Sequence, residues 1–230
     1  MIKRKRHKDI KSEKASSPLN PLIRVAIMAF IVLIALTAFS YSETIESSVF
    51  STTESSVHKT GYILFILPQY NFVDDEYTIP KVIISRAGYT IEVASATTRE
   101  PALGTDITKV RPNLAVEQIN VDRYDAVVFV GGYLAKKFYE NTVLIDKARA
   151  FNAKGKLICA MDNIPVYLAK WGLLKGIKAT VHPSLVKDIK KMGVNYVDKD
   201  IVIDKNFITV DTYRYSDAFA CEVVNELSKR

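Results

Sequence analysis

Lys156-Leu157-Ile158-Cys159-Ala160-Met161-Asp162-Asn163-Ile164-Pro165 decides the architecture. The apolar run is of strand length and carries no alternation, the pattern of a strand buried on both faces. A helix begins almost at once over Pro165 to Trp171, with proline at a tolerated early position. A strand passing straight into a helix makes a sharp turn that projects one side chain into a cleft, as a nucleophile elbow does. Here Met161-Asp162-Asn163 spans that turn.

Upstream, the pattern repeats. Tyr62 to Leu67, Tyr89 to Ser95 and Asp125 to Val130 are apolar runs of strand length. The spacing predicts helices over Phe72 to Ala87, stopped by Gly88, and over Val143 to Ala153, stopped before Gly155. Downstream, short β-rich pieces from Val194 to Val210 surround Asp204-Lys205-Asn206 and suggest a hairpin-like edge before a last helix, Ser216 to Leu227. Strands alternating with helices imply a flavodoxin-like, doubly wound α/β fold, with a mostly parallel sheet between helical layers. In such sheets ligands bind beyond the carboxyl ends of the strands. Three of those ends stand out: Asp74-Asp75-Glu76, the turn Val130-Gly131-Gly132-Tyr133 whose amides suit an anion, and Asp162-Asn163.

Residues 61–230 therefore form the domain, and the preceding chain differs in kind. The formal net charge of +7 is unevenly placed. From Met1 to Arg24 the eight basic residues Lys3, Arg4, Lys5, Arg6, Lys8, Lys11, Lys14 and Arg24 face only Asp9 and Glu13, so 8 − 2 = +6 lies there and +1 remains for the rest. A nearly neutral domain argues against nucleic acid as a partner. Pro21 to Tyr41 is uncharged from Val25 to Ser40, close to the roughly 20 residues that span a bilayer core. The expected order is a basic cytoplasmic tail (1–20), a transmembrane helix (21–41), a Ser/Thr-rich tether (42–60) and an extracytoplasmic domain in a single-pass cell-membrane protein. Cleavage after Ala38-Phe39-Ser40 is the rival reading, but an uncleaved anchor is preferred because the apolar stretch exceeds a usual signal core. Cys159 and Cys221 are too few for a disulfide framework, and both read as small buried apolar residues.

The domain resembles the ThiJ/PfpI family of the class I glutamine amidotransferase-like superfamily. The resemblance runs through Asp75-Glu76-Tyr77-Thr78-Ile79-Pro80, Arg86-Ala87-Gly88-Tyr89 and Tyr124 to Gly132. It continues through Gly155-Lys156, Trp171 to Gly176, Ala179-Thr180-Val181-His182-Pro183 and Asn195-Tyr196-Val197-Asp198. It covers Gly61 to about Leu227. The family's elbow carries a reactive cysteine, and the matching string here is Ala160-Met161-Asp162-Asn163-Ile164-Pro165. The resemblance thus places Asp162 at the cysteine's position, with Cys159 three residues upstream. It also implies that Glu76 is the carboxylate beside the elbow, that His182 lies near the same pocket, that Gly131, Gly132 and Asn163 form the oxyanion-side backbone, and that a homodimer is plausible.

Three readings follow. The first is a binding or divergent member with no cysteine-dependent glyoxalase, deglycase or peptidase activity and no cofactor. The second is a hydrolase in which Asp162 attacks carbon and His182 activates water. The third is a divalent transition-metal site formed by Glu76, Asp162 and His182. Blander roles stand beside them: Glu76 capping a helix start, and His182 bonding the backbone beside Pro183.

Overall fold

The computed structural model describes residues 61–133 and 135–230. The expected tail, membrane helix and tether lie outside the described residues. Among those described, no helix is long and apolar enough to cross a membrane.

The chain begins with β1 (Tyr62–Ile66) and β2 (Tyr70–Phe72), then α1 (Asp74–Arg86) and β3 (Thr90–Ser95). Three short strands, β4 (Ala102–Gly104), β5 (Lys109–Val110) and β6 (Leu114–Ala115), precede β7 (Ala126–Phe129). Next come α2 (Lys136–Tyr139), α3 (Thr142–Ala153), β8 (Leu157–Met161) and α4 (Ile164–Lys170). The last third holds β9 (Lys178–Ala179), α5 (Val186–Lys191), β10 (Asn195–Tyr196), β11 (Ile201–Asp204), β12 (Phe207–Val210) and α6 (Ser216–Ser228).

Seven strands form the main sheet in the order β11-β12-β8-β7-β1-β3-β6. Every pairing is parallel except β11 with β12. Strand alternation sends each central run to both faces. Ile63, Phe65, Val128, Cys159 and Met161 join α1 and α6 through Tyr77, Ile84, Phe219 and Val223. Leu64, Ile66, Val127, Phe129, Ile158 and Ala160 pack against Leu144, Ala148 and Phe151 of α3 and against α4. Unbroken apolar runs are therefore required, because neither face meets water.

Helix α1 starts two residues later than its periodicity suggests. Tyr70 to Phe72 is extended and pairs with β4, and Asn71 adopts a positive φ of 58°. Asp74 then fastens the β4–β5 hairpin to the head of α1. Its carboxylate accepts from the Thr105 hydroxyl and from the Asp106 and Thr108 amides at 2.9–3.0 Å. Burial alone would raise this carboxyl, but those donors win and hold it at about 2. The Val194 to Val210 segment is a correction of another kind. Only β11 is the edge; β12 lies inside the sheet, beside β8.

Candidate functional site

The strand order reverses at β1, whose neighbours β3 and β7 follow it in opposite directions across the sheet. The loops after β1 and β7 diverge there and open a crevice. Glu76 enters it from α1, Gly131 from the end of β7, and Asp162 from the adjacent end of β8.

Glu76 is fully buried and accepts the Gly131 amide on Oε2 at 2.6 Å. This differs from two expectations. Glu76 caps nothing at the start of α1, and the Gly131 amide is occupied rather than turned toward a ligand. Pro80, inside α1, leaves the Glu76 carbonyl without its usual helix donor. Oε1 of Glu76 and Oδ1 of Asn163 are buried without partners among the described residues. Both lie within 3.2 Å of the point where a Gly131 side chain would begin. Burial pushes the Glu76 carboxyl up to about 8, against the Gly131 bond, with the Asp162 charge adding a smaller push. A retained proton gives this buried carboxyl a donor of its own.

Asp162 has φ 54°, a left-handed conformation that aspartate and asparagine tolerate better than most residues. Its amide donates to the Val210 carbonyl and its carbonyl accepts from the His182 amide, each at 3.0 Å. The elbow is thereby clamped between β12 and the segment after β9, with its side chain at the crevice. Burial raises the Asp162 carboxyl, His182 opposes that rise, and Asp211 adds to it. His182 faces the site but is engaged locally. Its Nδ1 lies 2.8 Å from the Ser184 hydroxyl and accepts the Ser184 amide at 3.3 Å, so the ring caps the short turn Pro183–Leu185. Glu76, Asp162 and His182 share the crevice, but no trio of His, Cys, Asp or Glu among the described residues is placed to hold a metal ion.

Two site residues escaped the sequence reading. Asp211 follows β12, whose parallel register sets Val210 against Met161, so Asp211 and Asp162 leave neighbouring strand ends. Tyr139 is buried behind the crevice, donating to the Val130 carbonyl while its own carbonyl accepts from the Trp171 indole at 3.2 Å. Aspartate directly after a buried strand was the available signal for Asp211. The cysteines also divide. Cys159 is buried mid-strand with its thiol pushed up by burial, whereas Cys221 is exposed on α6, against expectation.

Residues 62–226 match the DJ-1/PfpI family. The chain belongs to that family. An uncharacterized protein of Methanocaldococcus jannaschii is 33% identical over 174 residues, covering 74% of this chain and 84% of the relative. A deglycase of Pyrococcus abyssi is 29% identical over 146 residues, covering 64% and 87%. Among solved structures, a ThiJ/PfpI domain protein from Brachyspira murdochii superposes with a TM-score of 0.71 at 26% identity, covering 75% of this chain and 99% of that one. The DJ-1/PfpI fold and its glutamine amidotransferase-like sheet are thus shared by sequence and by shape.

Proposed function

We propose that this DJ-1/PfpI member is a membrane-anchored, non-thiol protein whose elbow pocket binds a small molecule through carboxylates. The observation that carries the reading is the positive φ at the junction of β8 and α4, which belongs to Asp162. Cys159 supports it by default. Its thiol is wholly buried in the middle of β8, and burial disfavours the thiolate that attack requires. A carboxylate is a weak nucleophile toward carbonyl carbon, and its acyl product would be an anhydride. Binding is therefore favoured over the deglycase chemistry named for the Pyrococcus abyssi relative. Hydrolysis at saturated carbon through Asp162 is the second reading, favoured by the His182 charge acting on that carboxyl.

Two measurements test the proposal. The full chain with Cys159 and Cys221 both changed to Ser should match the unaltered protein in methylglyoxal consumption, and iodoacetamide should label Cys221 but not Cys159 in the folded protein. Selective loss of turnover with Cys159→Ser, at an unchanged melting temperature, would return the chemistry to a thiol.

The anchor has its own test. Positive charge before an apolar stretch favours a cytoplasmic N-terminus. Protease added outside intact cells should remove residues 61–230 and leave the tail protected. Resistance until the membrane is opened would reverse the orientation.

A further inference from the structure

We propose that the cavity between α1 and the chain from Thr108 to Asn113 binds an organic anion, a carboxylate or a phosphate carried on an apolar body. The inference stands apart from the elbow pocket, because none of Glu76, Asp162 and His182 lines this cavity. Tyr77, Thr78, Lys81 and Val82 form one wall, on the stripe of α1 that the helix period of about 3.6 residues turns away from Glu76. Ile91 and Val93 of β3 supply the floor, and β5 with the residues after it forms the other wall. Asp74 fixes the spacing of the two walls. The Thr78 hydroxyl donates to its carbonyl at 2.9 Å, and its carboxylate accepts the Thr108 amide at 2.9 Å. The cavity measures about 520 Å³, within the range that takes a small organic ligand.

Lysines on a surface say little by themselves, since most are simply solvated. Here charge and shape coincide. Lys81, Lys109 and Arg111 all line the cavity, and no aspartate or glutamate among the described residues lines it. None of the three bases enters the five ion pairs found among the described residues. Lys81 is drawn over the floor, with Nζ 5.3 Å from the centre of the Tyr77 ring. Asn113 adds a neutral donor of fixed sense. Its Oδ1 accepts the Val93 amide at 2.8 Å, so its amide nitrogen is the end left for a ligand. Lysine and arginine side chains carry donors and no acceptor, so an oxyanion suits all three and a cation suits none. A cleft with one sign of charge over low-dielectric walls concentrates ions of the other sign. The apolar body follows from the lining. Val82 is 46% exposed and Ile91 and Val110 are only partly buried, a surface that a bare inorganic ion would leave in water.

Isothermal calorimetry on the full chain tests this with benzoate and phenyl phosphate. Benzyl alcohol and benzylammonium serve as neutral and cationic controls, and inorganic phosphate as the bare anion. At least one aromatic anion should saturate a single site and bind more tightly than inorganic phosphate, and the tighter of the two identifies the head group. Benzyl alcohol and benzylammonium should not saturate it. Arg111→Gln should weaken the binding by about tenfold or more, the effect of one charged hydrogen-bond partner. Arg149→Gln removes the same charge from α3, on the other face of the sheet, and should leave the binding unchanged. Arg111 is exposed, so the variant should fold; if it melts lower, Lys81→Gln carries the same expectation. Absence of saturable binding by either aromatic anion, or equal binding of any of the three controls, would overturn the inference. So would Arg111→Gln binding within about twofold of the unaltered chain, or an equal loss in Arg149→Gln.

Discussion

Glu76→Gln should raise the melting temperature at pH 8 and flatten the pH dependence of stability between pH 5 and pH 8. In the folded chain Glu76 titrates at about 8, whereas an unfolded chain returns it to 4.5. Between those values the folded state keeps a proton that the unfolded state has lost. Stability from this group is thus complete below pH 4.5 and falls as pH rises toward 8, by ~1.4 kcal/mol per pH unit. The span amounts to something on the order of 4–5 kcal/mol. For a domain of this size, 1 kcal/mol moves the melting point by about 2–4 °C, so the loss is readable by calorimetry. Asp162 and Asp211 are raised as well and slope the same way, so some dependence should persist in the variant. Glutamine has no charge to bury, keeps an acceptor for the Gly131 amide and brings a donor for the Asn163 side. If Glu76→Gln instead melts well below the unaltered protein at pH 8, the carboxylate is ionised and compensated, and the protonated pocket is wrong.

The family resemblance brings Glu76 and Asp162 into one pocket, where two like charges would share a proton and raise one carboxyl. In the structure burial is the larger cause, and Asp162 follows behind it. Burial of one acidic residue cannot be read from Asp74-Asp75-Glu76 as a string. The helix phase gives the three different fates: Asp74 holds the hairpin, Asp75 faces solvent, and Glu76 turns to Gly131. The central strands were legible because burial on both faces demands unbroken apolar runs. Strands β4, β5 and β6 were not, since two or three residues carry no periodicity, and tertiary pairing alone makes them extended. The elbow was legible because Met161-Asp162-Asn163-Ile164-Pro165 leaves no room for a loop. Asp211 was missed for a topological reason. A hairpin read as the sheet's edge has no business at the site, but β12 pairs with β8 and delivers its following residue there.

Gly132→Ala should lower stability by about 1–3 kcal/mol, as overpacking a filled interior does, and by more than Gly131→Ala. The added Cβ at 132 would lie 2.6 Å from the Asn71 carbonyl oxygen and 3.2 Å from the Phe72 Cα. Those neighbours are backbone and cannot swing aside. They are also fixed by the bridge between Phe72 and Gly132, through bonds from the Val73 amide to the Gly131 carbonyl and from the Tyr133 amide to the Asn71 carbonyl. Asn71 itself already holds a positive φ, so relieving the clash would disturb a residue with few conformations to spare. At 131 the atoms nearest the new Cβ are side-chain oxygens of Glu76 and Asn163, at 3.0–3.2 Å, a tighter than ordinary contact but with no backbone among them. Gly131→Ala should therefore melt close to the unaltered chain while shifting the pH profile, because it presses on the Glu76 carboxyl. Thermal melts of both alanine variants across pH 5 to 8 distinguish the two positions. A Gly132→Ala protein that melts with the unaltered chain would mean that β2 does not approach the end of β7 as closely as described. The crevice between Glu76, Gly131 and Asp162 would then be wider, and its acidic groups better hydrated.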